Sequence, residues 1–154
     1  MLNDCKTAEE RFGGVSKIID RWLEERQQLV KLFCQLTGVH PSAARPVWQS
    51  LQTFCDLLVD YASMGHFEVY EQLMLEGKEF ADGSDQKVSG LIPQLEENTQ
   101  KIMAFHDFLN ERCDLHELAD RATRLGEILE TRFGMEDEML EVLHYAHSPE
   151  KSPG

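Results

Sequence analysis

The sequence predicts an all-α chain, folded as a four-helix up-and-down bundle in which one helix is broken. Three observations carry this. Apolar residues recur at three- and four-residue steps over long stretches, glycine- and proline-containing breaks divide those stretches into helix lengths, and alternating apolar-polar runs are almost absent. At 154 residues the chain suits one domain, expected over 1–147, with a flexible tail from 148 to 154 that reads Ser-Pro-Glu-Lys-Ser-Pro-Gly.

The first helix is expected from about Thr7 to Leu36, with Val15, Ile19, Trp22, Leu29 and Phe33 at helical spacing and Gly38 ending it at a C-cap. His40-Pro41-Ser42 reads as a turn. In the second helix Pro46 falls in the first turn, where its missing N–H costs least, and Leu51, Phe54, Leu58 and Tyr61 form a stripe. Ser63-Met64-Gly65 interrupts that stripe, and a shorter helix follows from about His66 to Glu76. The segment Gly77–Asp85, with its glycines and acids, reads as an exposed loop. A fourth helical stretch is expected over about Gln86–Arg112, with Pro93 in its second turn. The last runs over about Leu115–Ala146, opened by Asp114 as N-cap with Glu117 three residues on, and is liable to bend at Gly126 and Gly134.

The stripes carry polar residues. Arg26 stands a step beyond Trp22, Thr99 and His106 fall among Leu95, Ile102 and Leu109, and Arg132 and Glu136 stand i,i+4 on the last helix. Two readings stand for Arg26, Thr99, His106, Arg132 and Glu136. One is a buried, mutually satisfied cluster that fixes helix register; the other is a pocket for a metal or small ligand.

Catalytic signals are weak. His116-Glu117-Leu118-Ala119-Asp120 begins like a zinc-protease helix but has Asp where the second histidine is needed, and a phosphoacceptor role would require His116 mid-helix rather than in a first turn. Glu141-Val142-Leu143-His144 has the Glu-x-x-His spacing of di-iron bundles, yet no other histidine has Glu three residues before it. No phosphate loop or nucleophile elbow is legible, so no enzyme activity, metal or cofactor is expected. Cys5, Cys34, Cys55 and Cys113 form no C-x-x-C pair and read as free thiols in a reducing cytoplasm, in keeping with the absence of a signal-like N-terminus or a membrane-length apolar run.

With 28 acids against 15 bases the net charge is −13, which argues against direct binding to nucleic acid and favours a partner of opposite sign. Residues 1–77 carry −4 and residues 78–154 carry −9. Between Val39 and Gly77, however, Asp56, Asp60, Glu68, Glu71 and Glu76 face a single base, Arg45, and are interleaved with Phe67, Val69 and Tyr70. Aromatics set among charges are a common make-up for protein-binding patches.

Ile-Asp-Arg-Trp-Leu (Ile19–Leu23), Leu-Val-Asp-Tyr (Leu58–Tyr61), Gly-His-Phe-Glu-Val-Tyr-Glu (Gly65–Glu71), Pro-Gln-Leu-Glu (Pro93–Glu96), Asn-Thr-Gln (Asn98–Gln100) and Gly-Glu-Ile-Leu-Glu-Thr-Arg-Phe (Gly126–Phe133) occur in an order and spacing that resembles the Rsd/AlgQ family over about residues 1–146. The resemblance implies an anti-sigma factor. Such a protein binds the housekeeping, sigma-70-type sigma factor of RNA polymerase, chiefly its region 4, and keeps it from core polymerase and promoter. It also implies a contact surface of Ile18, Asp20, Arg21 and Trp22 on the first helix, Asp60 and Tyr61 on the second, and His66, Phe67, Tyr70 and Glu71 after the break. Asp60 would pair with an arginine of the sigma factor, and Ile18 and Phe67 would supply apolar contact. For Trp22, packing in the core is an equal alternative.

Overall fold

The structure, a computed structural model, describes residues 8–36, 48–110 and 115–147. Its helices, in chain order, are α1 (Ala8–Leu36), α2 (Trp48–Met64), α3 (Tyr70–Phe80), α4 (Ser84–Val88), α5 (Leu91–Asn110) and α6 (Leu115–Leu143), with a 3₁₀ turn at Tyr145–His147. The chain is an all-α four-helix bundle: α1, the composite of α2 and α3, α5 and α6 are its long members. No strand occurs among the described residues. The expected glycine cap at Gly38, the turn at His40, Pro46, the N-cap at Asp114, the His116 side chain, Cys5, Cys113 and the 148–154 tail all lie outside the described residues.

The core follows the stripes. Val15, Ile19, Trp22 and Leu29 of α1 meet Phe54, Leu58 and Tyr61 of α2, while Leu95, Ile102 and Phe105 of α5 meet Leu125 and Leu129 of α6. Each such fully buried side chain contributes roughly 1.5–3 kcal/mol of transfer free energy. Cys55 belongs to this core, its thiol pushed up to about 11 by burial and then by the charge of Asp56, whereas Cys34 is exposed; neither is in a disulfide.

The interruption expected at Ser63–Gly65 takes the form of a π-helical turn, Gly65–Val69, that joins α2 to α3 without leaving helical backbone. Tyr70 N–H closes on Gly65 O, five residues back. The wider turn adds about one residue to the helix, so the buried stripe can change phase there. Gly65 and then Val69 and Tyr70 face inward, and His66, Phe67 and Glu68 stand together outside.

Two sequence expectations are corrected. Gly77–Asp85 is not a loop. α3 continues to Phe80 with Gly77 buried against Leu143, close enough that a Cβ at residue 77 would stand 2.5 Å from the leucine Cδ2. The true turn is Ala81–Gly83, where Ala81 and Gly83 take left-handed φ values of 52° and 83°, and α4 begins directly after it. Nor does one helix run from Gln86 onward: Ser89-Gly90 separates α4 from α5, and Pro93 is in the first turn of α5. α6 continues as one helix through both glycines, and Gly126 makes room for the Phe33 ring, whose Cζ would lie 3.2 Å from a Cβ there.

Candidate functional site

The interior of the bundle is polar at one level, and the cause is the α6 carboxylate. Glu136 is almost fully buried, so every oxygen lone pair needs a donor. Tyr61 of α2 donates its hydroxyl to Oε1 at 2.5 Å, and Tyr70 of α3 donates to Oε2. Arg26 of α1 reaches Oε1 at 3.2 Å. Arg132, one helical turn back, has Nε 3.2 Å from Oε2, placed for an ion pair but not aligned for a hydrogen bond. Burial pushes the Glu136 carboxyl up from its ordinary value, against the opposing pull of Arg132, the two hydroxyls and Arg26.

The arginines extend this centre across the bundle. Arg26 Nε donates to Tyr61 OH at 2.9 Å and Nη1 to exposed Asp137 at 2.6 Å, and its guanidinium lies over the rings of Trp22 and Phe133. Arg132 donates from Nη1 to Asn98 Oδ1 and Thr99 Oγ1 on α5, and from Nη2 to Tyr70 OH at 3.0 Å. All four long members are thereby joined through one set of charge-assisted bonds. Of the polar residues singled out from the stripes, Arg26, Thr99, Arg132 and Glu136 come together here. His106 does not: it is half-exposed, and its Nδ1 lies 3.6 Å from Asp107. Sequence reasoning missed Tyr61, Tyr70 and Asn98 as members, because tyrosines on a stripe read as core or as surface anchors.

A second polar cluster went unread. His144, the residue after α6, places Nδ1 2.9 Å from both oxygens of Glu76 and Nε2 2.9 Å from Ser16 Oγ, tying the end of α6 to α3 and α1. With Nδ1–H donating to the carboxylate, Nε2 accepts the serine hydroxyl. The order resembles a nucleophile–base–acid triad, but Ser16 lies inside α1, where its own N–H is used in the helix and is unavailable to an oxyanion. Glu76, counted from sequence among the acids of the 39–77 patch, is 4 % exposed and is structural. Among the described residues no group of three or more His, Cys, Asp or Glu is arranged to hold a metal ion, and no described helix is long and apolar enough to cross a membrane.

The contact residues implied by resemblance divide in two. Trp22, Tyr61 and Tyr70 are buried and touch one another: Trp22 stacks on Tyr61 at 4.9 Å, meets Tyr70 edge-on at 6.0 Å and donates Nε1–H to Tyr61 O at 3.1 Å. Arg21, Asp60, His66, Phe67 and Glu71 are exposed, and Ile18 is half-buried. Phe67 is 70 % exposed, the most open large apolar side chain among the described residues, and its ring meets that of His66 edge-on. Ile18, Arg21 and Glu25 share one face of α1 by their spacing. Burial and then the charge of Asp60 raise the Glu25 carboxyl above its ordinary value, which brings that face to the α2 border. Asp20 is exposed but lies elsewhere: its charge acts on Tyr145, on the side of α1 where Ser16 meets His144. The result is an exposed aromatic knuckle on the π turn, with exposed Glu68 and Glu71 close after it in the chain, exposed Asp60 seven residues before it on α2, and α1 in contact with the turn.

A family model described as "Regulator of RNA polymerase sigma(70) subunit, Rsd/AlgQ" matches residues 1–144. Among curated proteins the chain is similar to "Regulator of sigma D" of Enterobacter sp. (strain 638), 38% identical over 149 residues that cover 91% of this chain and 88% of that relative. Proteins of the same description from Salmonella paratyphi B and Salmonella schwarzengrund are also 38% identical over 149 residues, covering 91% of this chain and 90% of each relative.

Proposed function

The chain belongs to the Rsd/AlgQ family, and on that premise we propose that it is a cytoplasmic anti-sigma factor that grips region 4 of the housekeeping sigma factor and withholds it from core polymerase and promoter. The observation that carries the surface is Phe67, held 70 % exposed on the π turn, with Asp60, Glu68 and Glu71 also exposed on the same composite helix. Region 4 is a helix-turn-helix module whose DNA-reading face is basic. An apolar anchor with acids near it suits such a face: the acids replace DNA phosphates, and the phenyl ring adds desolvated contact that phosphates lack. Glu25, raised first by burial and then by the charge of Asp60, puts two carboxylates near each other at one helix border, an arrangement that an incoming cation such as an arginine relieves.

On this reading the docking residues are Ile18, Arg21, Glu25, Asp60, His66, Phe67 and Glu71. Trp22, Tyr61 and Tyr70 support them from below, and Asp20 lies outside the surface. The test is calorimetric titration of purified protein with a region 4 domain. A one-to-one complex is expected, weakened about tenfold or more by Asp60→Ala and by Phe67→Ala, each an exposed truncation that leaves the melting curve in place. Absence of binding at low salt would overturn the proposal, and full affinity in both variants would remove the knuckle from the site.

A further inference from the structure

The π turn that presents Phe67 is held from inside the bundle. A π turn has poorer hydrogen-bond geometry than the α-helix around it and persists where tertiary contacts hold it. Here both of its ends are clamped. Gly65 lies so close to the interior that a Cβ would stand 3.1 Å from Trp22 Cζ2 and 3.1 Å from Tyr70 OH. At the other end, Tyr70 supplies the N–H that closes the turn on Gly65 O, while its hydroxyl donates to Glu136 and accepts from Arg132 Nη2 at 3.0 Å. Trp22 is fixed in turn by its stack on Tyr61 and its bond to Tyr61 O. The Tyr70 clamp thus leads directly to the α6 pair Arg132–Glu136, and both of these side chains are closed to solvent.

We infer that Tyr70, pinned by Glu136 and Arg132, is a positioning residue for partner binding: it holds the extra residue of the π turn in place and so fixes the direction in which Phe67 leaves the bundle. With the pin removed, the chain has an alternative, a regular α-helix through 65–69 that expels one residue. That slip changes the angle at which Phe67 leaves the helix axis relative to α2 and the α1 border, out of the direction that the π turn gives it. The inference rests on the docking surface proposed above. It gives a role to a residue only 4 % exposed that stands within the Gly65–Glu71 motif.

Tyr70→Phe keeps the ring and removes only the hydroxyl. Affinity for a purified region 4 domain is expected to fall about fivefold to tenfold in Tyr70→Phe, and to fall hardly further when Tyr70→Phe is added to Phe67→Ala, because the two act through the same contact. Amide hydrogen exchange should show lost protection confined to 65–70. Fully multiplicative losses, or wild-type affinity in a folded Tyr70→Phe, would overturn the inference. If Tyr70→Phe is too unstable to measure, Glu136→Gln, which leaves one acceptor oxygen where Tyr61 and Tyr70 each use one and removes the charge, serves in the same cycle with the same expected coupling. If the unaltered protein does not bind region 4 at all, the docking proposal fails. The exchange measurement then decides the inference by itself: protection lost across the whole bundle, not at 65–70, overturns it.

Discussion

Three hydrogen-bond donors and a second guanidinium converge on one carboxylate, and that convergence determines how the tyrosines behave. Tyr61 and Tyr70 sit in the bundle with their hydroxyls on Glu136, and both are raised well above the ordinary 10.0, by burial first and then by the charge of Glu136. A folded state that keeps phenol protons which the unfolded chain releases binds more protons above pH 10. Stability therefore holds below that pH and falls as pH rises through it, by about 1.4 kcal/mol per pH unit for each such tyrosine. Of the three tyrosines, at most Tyr145 should ionise while the helical circular dichroism is intact. The other two should ionise only together with unfolding, and tyrosinate absorbance recorded alongside dichroism in an alkaline titration checks this. At this scale the sequence revealed the charged members of the network, because Arg26, Arg132 and Glu136 break apolar stripes. It hid the partners that satisfy them. Nothing local marks Glu76, 68 residues away from His144, as that histidine's acceptor, since only the folded helices bring the pair together.

Among the elements, the composite of α2, the π turn and α3 differs most from its reading in sequence. The break at Gly65 was legible as a loss of period, but a period cannot distinguish a broken helix from a helix with one extra residue. The continuation of α3 through Gly77 was not legible at all, because glycine beside acids is the usual signal of a loop and here serves close approach to Leu143. Two glycine substitutions separate these roles. At Gly134, exposed on α6 with nothing within 4 Å of a Cβ, Gly→Ala should stabilise by about 0.5–1 kcal/mol through helix propensity. At Gly65 the same change meets rings fixed by the Trp22 stack and the Tyr70 hydroxyl bonds, so it should destabilise by about 1–3 kcal/mol despite that gain. Urea unfolding of both variants against the parent gives the two opposite signs.

For the whole molecule, the fold class was legible because helical period and turn signals agreed along the chain, while the proposed docking surface was legible only in part. Net charge of −13 is greatest in the second half of the chain, yet the exposed aromatic with acids near it lies in the first. Bulk charge and site thus have separate work. On the proposed function, the distributed acids steer a basic partner from a distance and are screened by salt over about 8 Å at physiological ionic strength, whereas Phe67 and the acids near it act at contact. Raising salt should therefore slow association with region 4 much more than it speeds dissociation, and stopped-flow kinetics across a salt series measures both. The central claim, that docking occurs at the π-turn knuckle and not on the more acidic second half, is tested most directly by hydrogen-exchange footprinting of the complex with the sigma factor. Protection on binding is expected over 17–25 and 60–71. Protection centred on the exposed faces of α5 and α6, with 60–71 unchanged, would contradict it.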